Sequence, residues 1–253
     1  MGKILDNQIP KEVITKLEQA QNIVVFTGAG ISASAKIPTL SGPGCTPIWE
    51  FNFIADLLSA EKITGKSVLH LRLLDDLLAK TRAATPTAAH LALAKLSTKF
   101  PVFHIITQNF DDLHQRSKGT NINNCLMLHG EITKSRCLKC NFQQVIETSY
   151  KEHWKSKCLC GGDWRTDILL FDEAMSEDLW QRAEKLARNC EILISIGSSG
   201  EVLPGGLLPA IARRKGAFLI EFNLATTEIT PHFHFTILGN SDDTVIKLGN
   251  TIV

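Results

Sequence analysis

FTGAGISASAKIPTLSG, residues 26–42, follows directly on a short apolar, β-branched run that begins at Ile23. Within it, Gly28, Gly30 and Ala33 fit G-x-G-x-x-A, a pattern whose small residues let backbone N–H groups approach a pyrophosphate at a helix N-terminus. A tight strand-to-helix turn with no ligand would use the same residues. Redox dinucleotide proteins run from such a loop into a helix and a second strand that ends, about twenty positions on, in an acidic residue holding the ribose. Glu50 has that spacing, but Pro38, Gly42, Pro43, Gly44 and Pro47 make the intervening segment a loop. A dinucleotide on this chain is therefore expected to be held in another way.

Runs of the same strand-like kind recur at 102–107, 192–196 and 218–222, joining the one at 23–27. Segments 11–20, 68–80, 87–98 and 177–188 place apolar residues at three- and four-residue spacing, and Glu177 and Asp178 favour a helix start. Strands alternating with helices predict an α/β fold, a doubly wound parallel sheet of Rossmann-like type. Two segments break the alternation, 36–84 with a Gly/Pro-rich entry into a helical stretch, and 133–163 with four cysteines. The expected organisation is a dinucleotide-binding domain from 1–35, 85–132 and 164–253. A smaller inserted lobe, helical over 36–84 and a zinc ribbon over 133–163, would form a cleft with it.

The bulk numbers restrict the function. At 253 residues and 44% hydrophobic content, the chain can bury a full core as one large domain or as a domain plus a lobe. Its 27 basic and 26 acidic side chains leave a formal charge of +1, which offers no net attraction to nucleic acid or anionic lipid, and neither is an expected partner. MGKILDNQIP lacks the apolar core of a secretion signal, Asp6 stands where a myristoylation signal needs Ser or Thr, and no apolar run approaches a membrane span. Cytoplasmic localisation is the expectation. In a reducing compartment seven cysteines are metal ligands and buried thiols rather than a disulfide framework. Cys137-x2-Cys140 and Cys158-x-Cys160, seventeen residues apart, suit a closed tetrahedral zinc site with a structural role. Cys45, Cys125 and Cys190 are expected to be buried thiols.

The strand ending at Thr107 continues as Gln108, Asn109, Asp111 and His114, at the sheet edge where open α/β proteins bind ligands, and His129 follows in LHG. Taken singly, Asn109 and Asp111 read as helix caps, His114 as a solvated helix residue and His129 as a core histidine. Taken together with the glycine loop, the chain resembles the sirtuin family of NAD-dependent protein-lysine deacylases along nearly its whole length. The matching pieces are TGAGIS (27–32), IP (37–38), TQNFDDLH (107–114), LHG (128–130), the paired cysteines, GSSGEVLP (197–204) and FN (222–223). HLALAKL (90–96) is most similar to bacterial members.

The resemblance implies that NAD is consumed as a co-substrate and that an acylated-lysine protein or peptide is the partner. Nicotinamide, free lysine and an O-acyl-ADP-ribose are the implied products. It implies that Ser32, Asn109 and Asp111 line the nicotinamide and ribose pocket, that Gln108 touches the ribose, and that His129 is the general base, with Asn109 beside it in catalysis. Gly28, Ala29 and Gly30 would lie along the pyrophosphate, and Gly197, Ser198 and Asn223 would hold the adenosine half.

The chain also departs from the family pattern. Leu40 and Ser41 replace a Phe and an Arg that follow the glycine loop in most sirtuins, while Thr166 and Asp172 replace a Pro and a Gly in the segment 166–173, which resembles the strand pairing with substrate peptide. These changes motivate two rivals to the deacylase reading. One is an ADP-ribosyltransferase or NAD glycohydrolase on the same scaffold; the other is a low-turnover NAD- or ADP-ribose-binding module. Family members that remove succinyl or malonyl groups carry Tyr-x-x-Arg in the first insertion. Here the only tyrosine is Tyr150, and 68–78 offers Leu71, Leu73, Leu74 and Leu77 with Arg72 as its single cation. Neutral acyl groups are the expected substrates.

Overall fold

The computed structural model describes residues 3–37, 68–117 and 124–252. Its first half runs β1 (Lys3–Asp6), α1 (Lys11–Gln19), β2 (Asn22–Thr27), α2 (Val68–Ala83), α3 (Ala88–Ser97), β3 (Val102–Thr107), α4 (Leu113–Arg116), β4 (Cys125–Met127), β5 (Lys134–Cys137) and β6 (Gln143–Val145). There follow α5 (Tyr150–His153), β7 (Trp164–Thr166), α6 (Glu177–Asn189), β8 (Ile192–Ile196), α7 (Leu208–Arg214), β9 (Phe218–Asn223), β10 (Phe235–Leu238) and α8 (Ser241–Thr251). Helix starts follow their side chains. The Thr87 hydroxyl accepts from His90 N–H at α3, Ser176 from Leu179 N–H at α6 and Asn240 from Asp242 N–H at α8, each satisfying an amide that has no partner within its helix.

Seven strands form one sheet in the order β1-β10-β9-β8-β2-β3-β4, every neighbouring pair parallel. Successive side chains of a strand point to opposite faces. Ile23 and Val25 of β2 accordingly join Val13, Leu17, Leu93, Val245 and Leu248 beneath α1, α3 and α8. Val24 and Phe26 join Ala183, Ala187, Leu208 and Ala212 beneath α6 and α7. Burying one such Leu or Phe contributes about 1.5–3 kcal/mol, so the two faces are the main source of the large domain's stability. The chain winds outward from β2 to β3 and β4 on one side, and through β8, β9 and β10 on the other. The switch point therefore lies between β2 and β8, and crevices at such points bind ligands.

A second, three-stranded antiparallel sheet, β6-β5-β7, belongs to the small lobe. Leu73, Leu74, Leu77 and Leu78 of α2 pack there with Ile146, Tyr150, Trp154, Trp164, Cys137 and Cys158 in one apolar cluster. Tyr150 is fully buried, and its hydroxyl donates to Ile132 O at 2.7 Å and lies 2.9 Å from Thr166 Oγ1. The lobe's sheet takes in Trp164–Thr166, which the sequence partition put in the large domain. Beyond Thr166, the expected strand over 166–173 is instead a run of bends and turns. Three contacts shape it: Leu169 N–H reaches His129 O at 2.9 Å, and the Glu173 carboxylate accepts from Leu170 N–H at 3.0 Å and from Arg165. Among the described residues no helix is long and apolar enough to cross a membrane.

Candidate functional site

A cleft of about 620 Å³ opens at the switch point. Gly28, Ala29, Gly30, Ser32, Gln108, Asn109, Asp111, His129, Gly197, Ser198 and Asn223 all line it, so the structure brings together every cleft residue singled out in the sequence. Glycines are needed here for a reason the sequence pattern does not give. The loops after β2 and β8 cross in contact, and a Cβ on Gly28 would sit 2.6 Å from Gly197 O, one on Gly30 2.7 Å from Gly197 Cα. Gly197 itself has φ +60°, where a side chain is strained. Gly28 N–H donates to Ile196 O at 3.0 Å, Gly30 N–H to Gly197 O at 2.9 Å and Ile31 N–H to Gly28 O at 3.2 Å. Two amides of the glycine loop, those of Gly28 and Gly30, are thus spent on the crossing and that of Ile31 on a turn within the loop, and that of Ala29 is in none of these pairings. The loop continues as a 3-10 segment, Ala29–Ala35, and closes at Lys36 in the left-handed region.

The polar cluster sits at the C-terminal end of β3. Asn109 Nδ2 donates to Ser32 Oγ at 3.2 Å, and Ser32 Oγ donates to Asp111 Oδ2 at 2.9 Å, all three side chains being buried. Asp111 Oδ1 also accepts from Leu113 N–H at 3.1 Å, so one carboxylate both starts α4 and faces the cleft. Burial pushes the Asp111 carboxyl up from its ordinary range, against the opposing pull of the bonds from Leu113 and Ser32. His129 lies after β4, its Nδ1 2.6 Å from Gln108 O. A carbonyl only accepts, so Nδ1 carries the proton and Nε2 keeps a lone pair. Burial lowers the His129 pKa, with the Gln108 bond acting in the opposite direction.

His114 departs from the solvated alternative. It is 1% exposed, bonds Thr27 Oγ1 through Nε2 at 3.0 Å and lies 4.6 Å, ring to ring, from His90. Burial holds its pKa well below the usual imidazole range. It supports the loop from behind.

At the other end of the cleft, Ser198 Oγ donates to Gln108 Oε1 at 2.8 Å and Asn223 Nδ2 donates to Ser198 O at 2.9 Å, which ties β3, β8 and β9 together. The sequence reading missed Glu221. It is fully buried, and its carboxylate accepts from Thr227 Oγ1 at 3.2 Å, Thr230 Oγ1 at 2.8 Å and Thr236 Oγ1 at 2.9 Å. That bonding anchors residues 224–228, which form part of the cleft wall. An acid inside a strand-like run, followed by threonines six and nine positions on, was the available signal.

The sulfurs of Cys137, Cys140, Cys158 and Cys160 lie within 4.8 Å of one another, with separations of 3.4 Å (Cys137–Cys160), 3.4 Å (Cys140–Cys160) and 3.7 Å (Cys140–Cys158). Zinc–sulfur bonds of about 2.3 Å in a tetrahedron set the sulfurs roughly 3.8 Å apart, so the four thiols fit a closed zinc site. Gly162 is required beside them, since a Cβ there would meet Cys137 Sγ at 2.5 Å. Cys190 is buried as expected, Cys125 is only half-buried, and Cys45 lies outside the described residues, as do Leu40 and Ser41. Leu73, Leu74 and Leu77 correct an expectation: they build the small lobe's core instead of offering an acyl-binding wall. The expectation of neutral acyl groups therefore rests on the missing Tyr-x-x-Arg pair alone.

Comparison with known proteins agrees with this geometry. The profile described as "Sir2 family" matches residues 28–204. The chain is 33% identical over 232 residues to NAD-dependent protein deacylase 2 of Pyrobaculum aerophilum, covering 92% of this chain and 91% of the relative. It is 37% identical over 213 residues to the NAD-dependent protein deacylase of Aquifex aeolicus, covering 83% and 86%. Among solved structures, a Sir2 homolog–NAD complex superposes with TM-score 0.87 at 27% identity, covering 98% of this chain and 95% of that one. A Sir2 mutant with a deacetylated p53 peptide and 3′-O-acetyl ADP-ribose superposes with TM-score 0.80 at 26% identity, covering 96% of each. The family profile, the identities to deacylases and the superpositions together cover most of the chain: it belongs to the Sir2 family.

Proposed function

We propose that the chain is an NAD-dependent protein-lysine deacylase acting on neutral acyl groups, and that it releases nicotinamide, free lysine and an O-acyl-ADP-ribose. The observation that carries the reading is the meeting, in one cleft at the sheet's switch point, of a histidine with its Nε2 lone pair free of the Gln108 bond and the buried Asn109–Ser32–Asp111 chain. NAD supplies the nicotinamide–ribose bond that breaks. Ser32, Asn109 and Asp111 orient the nicotinamide end, and Gln108 positions the ribose. Ala29, beside the glycines, faces the pyrophosphate, while Gly197, Ser198 and Asn223 hold the adenosine half. His129 takes the proton from a ribose hydroxyl through Nε2 as the acyl group transfers, its ring held by Gln108. Zinc stays structural, because four protein thiolates leave no open coordination position. The large domain comprises 1–35, 85–132 and 164–253, except that Trp164–Thr166 joins the small lobe's sheet, with 36–84 and 133–163 as the insertions. The partner is an acylated-lysine protein, and a reducing compartment such as the cytoplasm keeps the thiols able to hold metal.

The test is mass spectrometry of the products formed from NAD and an acetyl-lysine peptide. Matched nicotinamide, deacetylated peptide and O-acetyl-ADP-ribose are expected. His129→Ala should lower their formation by about 10²–10⁴-fold, the usual worth of a general base. Nicotinamide released over an untouched peptide would overturn the reading in favour of ADP-ribosyl transfer or NAD hydrolysis.

A further inference from the structure

The mouth of the cleft beside His129 has two lips, each bonded to the base or to the residue that orients it. On one, Leu169 N–H donates to His129 O at 2.9 Å and fixes residues 168–171. On the other, Gln108, whose carbonyl accepts from the His129 ring, donates from Nε2 to Val202 O at 3.3 Å and fixes residues 201–203. A polypeptide delivering a lysine side chain to His129 has to lie between them. Both lips expose large apolar side chains, Phe171 at 41%, Val202 at 38% and Leu203 at 64%, as a surface covered by substrate would.

The charges lining this cleft are one-sided. Its titratable residues are Asp111, His129, Glu173, Glu201 and Glu228, and among the described lining residues there is no Lys or Arg. Asp111 is buried against Ser32 and Leu113, Glu173 is engaged by Arg165 and Arg136, and Glu228 lies past Asn223 on the far wall. Glu201 is different. It is an exposed carboxylate at the lip itself, its backbone held by Glu201 N–H donating to Ser199 Oγ at 3.4 Å.

We propose that Glu201 is a specificity-determining residue that makes the site favour acylated lysines flanked by Lys or Arg. Fixed negative charge at the entrance to a cleft with no lining cation among the described residues raises the local concentration of cationic peptides and penalises acidic ones. The inference rests on the deacylase reading for the identity of the substrate, and its test separates the two. Acetyl-lysine peptides differing only in Lys, Gln or Glu at the flanking positions are compared by kcat/KM at saturating NAD, and by calorimetric binding in the presence of ADP-ribose. Wild type should favour the Lys-flanked over the Glu-flanked peptide by about two- to fivefold, as expected for an exposed pair. The preference should shrink at 1 M salt, where the Debye length is about 3 Å. E201Q should flatten the order and E201K should reverse it. Turnover of all three peptides at equal kcat/KM, or a preference that E201K leaves standing, overturns the role of Glu201 and leaves the deacylase reading intact. A charge preference in binding that E201K reverses, with no peptide ever deacylated, keeps Glu201 and removes the deacylase.

Discussion

His129 can act as a base only while neutral, and burial keeps it so by disfavouring the imidazolium. The carbonyl of Gln108 pulls the other way but fixes the proton on Nδ1, which leaves Nε2 as the basic atom. The net shift is downward, so the neutral fraction persists to more acidic pH than for a free imidazole of pKa about 6.5. Single-turnover deacylation should therefore hold constant as pH falls through 6.5 and decline only below it, through His129 protonation. His129→Asn should lose that acid limb along with most of the rate; a wild-type limb centred above 6.5 would contradict the assignment. Residues of this kind were legible because motif and chemistry coincide: LHG and TQNFDDLH bring a base and amide and carboxylate groups to one sheet edge. The bond between Thr27 and His114 was not legible, since the two are 87 positions apart and only the parallel pairing of β2 with β3 brings them together.

At the scale of elements, two loops decide the shape of the cofactor cleft, and they are held differently. The loop after β2 is fixed by contact, Gly28 and Gly30 lying against Gly197 with no room for a Cβ. G-x-G-x-x-A located this loop correctly, but the pattern could not tell that its glycines answer to a second loop almost 170 residues on. The loop after β9 is fixed by a buried acid, Glu221, holding the hydroxyls of Thr227 and Thr230 on the loop and of Thr236 on β10. Glu221→Ala would leave these hydroxyls without their acceptor at a cost of about 1–3 kcal/mol for a buried group. Residues 224–228 line the cleft past Asn223, so the change should raise the KM for NAD several-fold while kcat stays within about twofold. Glu221→Gln, which keeps an acceptor oxygen, should recover part of the KM. An equal fall in kcat with KM unchanged would place Glu221 outside cofactor binding. The strands of five and six residues in the large sheet were read to within one residue. β1, β4 and β10 have only three or four residues and were not separated from loop by pattern alone.

At the scale of the whole molecule, the core is divided, and the division places substrate and cofactor under different controls. The large domain rests on two apolar faces of one sheet, while the small lobe has its own cluster, in which Cys137 and Cys158 pack with Tyr150, Trp154 and Trp164. So small an apolar cluster on a three-stranded sheet is marginal by itself, and a closed metal site contributes folding energy directly. The cysteine spacing announced this site in the sequence. Its connection to the cleft could not be read there, because it runs through β7 and the bends after it: Asp167 N–H bonds Lys134 O at 3.1 Å, and Leu169 N–H bonds His129 O. Metal removal should therefore act first on the peptide lip. The purified protein is expected to carry about one zinc per chain. Stripping it with a strong chelator should red-shift the emission of Trp154 and Trp164 as their cluster opens, and raise the KM for peptide more than the affinity for ADP-ribose falls. Re-addition of zinc should restore both. Glu221 and Asn223 sit on β9 of the large sheet and Ser198 in the loop just past β8, so their end of the cleft should keep binding ADP-ribose after the metal is gone. If the peptide KM and the tryptophan emission were unchanged after complete zinc loss, the lobe would owe its order to apolar packing alone, and the four thiols would have no hold on the active site.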